Sequence, residues 1–122
     1  MSALDEYIDA WRPNDPAAIA ATVTADVLVI ESYGPMYRGA PMVRHWAEAW
    51  LAAGGRVLGW TITDEFATAD RIAAEWRFEC HWDGADHAFD GSTLATIHGG
   101  KISMLREYAT SAPLYNWEGR WK

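Results

Sequence analysis

Positive charge is what this sequence has least of. Ten lysines and arginines stand against seventeen aspartates and glutamates, a formal net charge of −7. Only Lys101 and Lys122 are lysines. Nucleic-acid backbones and anionic membranes both need a basic face, so neither is expected as a partner. Cysteine is almost absent too. The single Cys80 excludes an internal disulfide framework. No apolar run approaches the roughly 20 residues of a membrane-spanning helix. The opening Met1-Ser2-Ala3-Leu4-Asp5-Glu6 is acidic at once and lacks the positive-then-apolar pattern of a secretory leader. A soluble cytoplasmic protein is the expectation. Repeats, low-complexity tracts and linkers are also missing, and 122 residues suit one domain over 1–122.

Half of the residues are hydrophobic, enough for a real core, and tryptophan is abundant: eight residues. Trp brings a large apolar area with one polar handle, suited to ligand pockets, cores and interfaces alike.

The elements can be read from periodicity. Ser2 suits an N-cap with Asp5 as its box partner, and Leu4, Tyr7, Ile8 and Trp11 share one helical face ended by Pro13. Asp15-Pro16 opens a second short helix with Ile19 and Val23 inward. Residues 26–33 read as a strand. A loop with Gly34-Pro35 and Arg38-Gly39 follows, and then a third helix from Pro41 to Gly54-Gly55, with Val43, Trp46, Trp50 and Leu51 on one side. After that the period becomes two, giving strands over 56–67, 71–82, 87–98 and 101–110, with turns at Asp83–Asp86 and His98–Lys101. Helices followed by antiparallel strands imply an α+β fold: helices packed on a curved antiparallel sheet that encloses a pocket.

One residue stands out against this pattern. Val27-Leu28-Val29-Ile30 runs directly into Glu31. A carboxylate among apolar groups is costly unless compensated, and desolvation raises its pKa toward the range useful for acid–base work. Glu31 is therefore a general acid or base, the partner of an arginine such as Arg38, or simply a residue at the pocket rim.

The order of elements resembles the nuclear transport factor 2-like fold, and more closely its SnoaL-like and ketosteroid-isomerase-like members. The resemblance rests on Tyr7-Ile8-Asp9, Asn14 to Ile19, Thr24-Ala25-Asp26-Val27, Glu31-Ser32-Tyr33-Gly34, Tyr37-Arg38-Gly39 and the run Gly100 to Tyr108. It implies a cone-shaped sheet, a homodimer formed through that sheet, and no cofactor. In ketosteroid isomerases a carboxylate at the end of the first strand moves a proton next to a ketone, while a helix-one tyrosine and a protonated acid hold the enolate oxygen. By resemblance Glu31 falls on the base and Tyr7 on the tyrosine. Thr93 occupies the position of the second acid. Glu107 shares a strand face with Leu105, which the family register turns into the pocket. It is either that acid, displaced to the next strand, or an ion-pair partner of Arg77 or Arg106.

The expected partner is an apolar or aromatic small molecule. Trp11, Tyr33, Trp46, Trp50, Trp60, Trp76, Phe78, Phe89 and Thr93 are the candidate lining; the same rings can equally fill the cone completely. Trp117 and Trp121 suit a lid over the cone or a contact with a partner subunit. Cys80 reads as a small buried hydrophobe. His81 and His87 flank a turn as possible cross-strand neighbours, but zinc normally takes three or four protein ligands and no metal is expected. His45 lies off the apolar stripe of its helix. Three functions stay open: a proton-transfer enzyme of ketone-isomerase or polyketide-cyclase type, a non-catalytic binding module, and a structural dimerisation domain.

Overall fold

The computed structural model describes residues 1–122. Helix α1 spans Ala3–Trp11 and begins with the capping box expected of Ser2 and Asp5. The Ser2 Oγ accepts from the Asp5 N–H at 3.0 Å, and the Asp5 carboxylate accepts from the Ser2 N–H at 2.8 Å. Leu4, Tyr7, Ile8 and Trp11 face inward. Past its end, Arg12 pairs with Asp9 and donates to the Trp60 carbonyl at 3.0 and 2.7 Å, tying the helix to the sheet. Helix α2, Pro16–Ala21, has Asp15 as its N-cap, and α3 covers Ala40–Ala52. No helix is long and apolar enough to cross a membrane.

Six strands form one sheet: β1 (Val23–Ile30), β2 (Met36–Arg38), β3 (Arg56–Ala67), β4 (Arg71–Trp82), β5 (Ala85–His98) and β6 (Lys101–Ala109). Their order is β2-β1-β6-β5-β4-β3. The architecture is α+β with a curved sheet, as expected. Bulges in β3, between Val57 and Gly59 and between Ile62 and Asp64, bend the sheet locally.

Four details differ from the sequence expectation. The sheet is mixed, because β1 pairs parallel to β6 through Leu28–Ile30 and Met104–Arg106. It does not close into a barrel; β2 and β3 remain its edges. The first strand runs Val23–Ile30 rather than 26–33: Val23 opens it instead of facing inward from the second helix, and after Ile30 the Glu31 N–H donates to the Pro35 carbonyl and starts a turn. That turn returns the chain as β2, too short for periodicity to register. Finally, β5 starts at Ala85 rather than 87. Asp83 and Gly84, with φ of 52° and 75°, make a two-residue hairpin of the primed kind, whose twist matches its strands.

The core is continuous with an aromatic chain. Trp11 of α1 meets Trp46 and Trp50 of α3 edge-on at 5.0 and 6.0 Å. Tyr7 meets Trp60 of β3 at 6.2 Å, and Trp60 meets Trp76 and Phe78 of β4 at 5.5 and 5.1 Å. Phe89 of β5 completes the row, 5.4 Å from Phe78. All but the tilted Phe78–Phe89 pair are edge-to-face, which suits the ring quadrupoles.

Gly91, opposite Trp76 in the β4–β5 ladder, makes room for the indole. A Cβ there would lie 2.3 Å from Trp76 Cη2 and 2.5 Å from the Tyr108 carbonyl oxygen. Gly91→Ala is expected to destabilise the fold by at least about 1–3 kcal/mol, the usual penalty of overpacking. Urea unfolding followed by tryptophan emission would measure it.

Candidate functional site

Fifteen residues enclose a cavity of about 480 Å³ on the aromatic face of the sheet. Its lining brings together Tyr7 and Trp11 of α1, Trp46 and Trp50 of α3, Trp60 of β3, Trp76 and Phe78 of β4, and Phe89 of β5. Glu31 and Tyr33, just after β1, and Glu107 of β6 supply its polar end. Of the expected catalytic and pocket-lining residues, only Thr93 lies elsewhere. It is buried beneath the wall, and its hydroxyl accepts from the Trp76 indole N–H at 2.8 Å. Thr93 thus orients a lining ring instead of lining the cavity itself.

Ser32, Cys80, Trp82 and His87 complete the lining. The alternation of β4 from Trp76 through Phe78 to Cys80 and Trp82 carried a signal for two of them. The register sets His87 opposite Cys80, while His81 sits opposite Asp86 and contacts it at 2.7 Å. The two histidines are therefore not cross-strand partners. Trp117 and Trp121 pack on each other at 5.2 Å and do not line the cavity. His45 is exposed.

Glu31 is not paired with Arg38. Two phenols hold it instead: the Tyr37 hydroxyl donates to Glu31 Oε1 at 2.6 Å and the Tyr33 hydroxyl at 3.1 Å. Burial pushes the Glu31 pKa up, and these two hydrogen bonds pull against it. Tyr37 was visible in the sequence only as part of a motif. Its role depends on the β1–β2 hairpin, which places it opposite Val29 and stacks its ring on Trp46 at 4.2 Å.

Glu107 stands directly across from Thr93 in the β5–β6 ladder, on the cavity side with Leu105. It makes no ion pair; Arg77 turns to Asp90 and Glu79 on the outer face. Burial first, and the charge of Glu31 second, raise its pKa to about 8. Near neutral pH it is mostly a neutral acid, able to donate a hydrogen bond.

The Tyr7 hydroxyl is fully buried with no partner. Burial, then the charge of Glu107, pushes its pKa well above the usual phenol value, so it keeps its proton. The Trp11 and Trp60 indole N–H groups are unpartnered as well. An orphaned buried donor costs about 1–3 kcal/mol, so three together are an uncommon concentration of unspent hydrogen-bonding capacity. The lining contains no lysine or arginine. Chemically, the site offers one hydrogen-bonded carboxylate, one neutral acid and one unpartnered phenol, Tyr7, inside an aromatic shell. No cluster of three metal-ligating side chains is present.

Residues 4–104 match the family model of the SnoaL-like domain. No curated protein matches the sequence. Many solved structures share the fold. A protein of ketosteroid isomerase-like fold from Catenulispora acidiphila, in complex with trimethylamine, is 22% identical with a TM-score of 0.78, over 87% of this chain and 83% of that one. An LEH-like epoxide hydrolase from M. tuberculosis is 14% identical with a TM-score of 0.79, over 88% and 80%. A putative polyketide cyclase from Pseudomonas putida is 20% identical with a TM-score of 0.74, over 91% and 93%. At such identities the likeness is one of fold, and this fold carries more than one chemistry.

The raised Glu107 pKa has a consequence for stability. Its ordinary value is 4.5 and its folded value about 8. Between these two the native state holds more protons than the unfolded chain, so stability falls as pH rises through that window. Glu107→Gln cannot ionise. It is expected to be more stable than the parent at pH 9, by an amount on the order of a few kcal/mol, and to lose that advantage below pH 5. Thermal unfolding of both proteins across this range would measure the difference.

Proposed function

The chain belongs to the SnoaL-like domain family, and from that premise we propose a cofactor-independent enzyme that transfers a proton next to a carbonyl group in an apolar or aromatic small molecule. The observation that carries this reading is the pair Glu31 and Glu107 in one aromatic cavity with no cationic side chain beside them. Two acids whose surroundings differ suit different tasks. Glu31, held by two phenol hydroxyls, is the base. Glu107, mostly neutral near pH 7, is a donor to the developing oxyanion, and Tyr7 is a second donor.

The step balances as follows. A Glu31 oxygen takes the proton from the carbon next to the carbonyl. The C–H electron pair moves into the new C=C bond, and the carbonyl pair moves onto oxygen. Glu107 and Tyr7 stabilise that oxygen. Returning the proton to a different carbon of the conjugated system completes an isomerisation. Attack of the enolate carbon on a second carbonyl, whose π pair moves onto its oxygen and takes the proton back from Glu31, completes an aldol-type cyclisation. The aromatic walls keep water from competing for the enolate. A neighbour of the same fold solved with a small molecule, trimethylamine, supports small-molecule binding in this architecture.

The second reading, a binding module for an apolar ligand, is favoured by the aromatic side chains that make up most of the lining. A purely structural role fits less well with a cavity of about 480 Å³. We also propose that the protein is cytoplasmic and pairs as a homodimer through the outer sheet face. The adjacent row Phe66, Ala73 and Leu94 leaves Phe66 69% and Leu94 42% exposed there.

The deciding experiment is proton exchange in heavy water with a panel of small and polycyclic ketones, read by mass spectrometry. Protein-dependent deuterium uptake at the α-carbon is expected. Glu31→Gln should reduce it by about 10²–10⁴-fold, the usual contribution of a general base. Glu107→Leu, which removes the donor, should reduce it by roughly 10²-fold, as for one lost oxyanion donor. Ketones that quench tryptophan emission without exchanging, with binding unchanged in Glu31→Gln, would establish the binding module instead.

A further inference from the structure

We infer that the hydroxyls of Tyr37 and Tyr33 clamp Oε1 of Glu31 and so present Oε2 as the atom that accepts the substrate proton. This rests on the reading of Glu31 as a base, and it assigns two positioning residues to that site.

Both phenols donate to the same oxygen, Tyr37 at 2.6 Å and Tyr33 at 3.1 Å. Oε2 has no side-chain partner. A carboxylate gripped by one oxygen is fixed in orientation, and its second oxygen keeps its lone pairs for chemistry. The titratable groups facing Glu31 are Tyr33 from the turn, Tyr37 from β2, Tyr7 from α1 and Glu107 from β6. Helix α3 contributes Trp46, which does not titrate. No cation is among them, so the two hydroxyls are the groups that favour the ionised form of Glu31. The phenols themselves keep their protons, because burial and the Glu31 charge raise the pKa of each.

The two halves of the clamp are unequal. Tyr37 is half-buried, lies in a paired strand, and stacks on Trp46 with the ring planes 10° apart. It is the fixed half. Tyr33 is 74% exposed and sits in the turn after Glu31, next to Gly34 with φ +116°. That turn is held by the Gly34 N–H donating to the Glu31 carbonyl and the Glu31 N–H donating to the Pro35 carbonyl. Tyr33 is the exchangeable half, at the edge of the cavity. It can swing away as a substrate enters while Tyr37 keeps the carboxylate in place. In the proton-transfer step the C–H bond breaks, the proton passes to Oε2, and neither tyrosine changes protonation.

The test reads Glu31 directly and needs no substrate. Protein carrying glutamate labelled with ¹³C at the side-chain carboxyl is titrated by NMR, and the Glu31 signal is identified by its loss in Glu31→Gln. Tyr37→Phe retains the ring on Trp46 and removes only the hydroxyl. It is expected to raise the Glu31 midpoint by about one pH unit or more, a roughly tenfold loss of ionised base at a fixed pH below the midpoint. Tyr33→Phe, at an exposed position, should fold normally and raise it by less. The acid limb of the deuterium-uptake profile should move with the midpoint. An unmoved midpoint in both variants overturns the clamp. If the midpoint moves but no ketone exchanges, the clamp stands and the enzyme reading falls. If exchange depends on Glu31 while neither tyrosine moves its midpoint, the enzyme reading stands and the clamp falls.

Discussion

The parallel pairing of β1 with β6 is the constraint on which the site depends. It joins residues about 75 apart in sequence, Leu28–Ile30 to Met104–Arg106. Ordering so long a loop is costly in entropy, and the cost grows only slowly with further length. What offsets it is burial: Val27, Val29, Ile102 and Leu105 are all fully buried across this seam. The same seam aligns the ends of both strands, so that Glu31 and Glu107 arrive in one cavity. Without that pairing neither acid would feel the other, and Glu107 would lose the second of the two causes that raise its pKa.

The site is electrostatically austere. Two carboxylates enter an aromatic shell with no arginine or lysine to neutralise them. A buried acid normally meets this by pairing or by neutralising itself. The protein uses a different device for each. Glu31 is supported by hydroxyl donors, which favour the ionised form without adding charge. Glu107 has no such donors and takes the other route, retaining its proton to about pH 8. The division of labour follows from local hydrogen bonding, since both residues are glutamates in one cavity.

Elements with strong periodic patterns were legible in the sequence. The face Leu4, Tyr7, Ile8 and Trp11, the capping box, and the bounds of β3 and β4 all followed from local rules. The odd placement of Glu31 after four aliphatics marked it as exceptional, and strand alternation set Glu107 on the side of Leu105. What escaped was non-local or very short. Three residues of β2 leave no period to detect, and with them went Tyr37 as the partner of Glu31. The parallel direction of β1 against β6 is a property of two distant segments, and no window of sequence contains it. Thr93 pointed inward as its alternation required, but the indole of Trp76 covers it, which only the packing reveals.

Since the fold alone hosts hydrolysis and other chemistry, discrimination must come from the polar groups of the cavity. A hydrolytic site needs a water held by two to four polar partners beside its base. Here the polar groups gather at one end, and several of them are donors: the neutral Glu107, Tyr7 and the unpartnered indoles of Trp11 and Trp60. The lining also holds acceptors beside the carboxylate of Glu31: the Ser32 and Tyr33 hydroxyls and the His87 ring. Anionic ligands are disfavoured, because the negative charge of Glu31 faces them with no cation to offset it. The proposed substrate is complementary to the base and donors together: a neutral, flat molecule with an acceptor oxygen at one end and an acidic C–H beside it. A ketone has that combination, and under the proposed function its reactive proton is the one Glu31 would take.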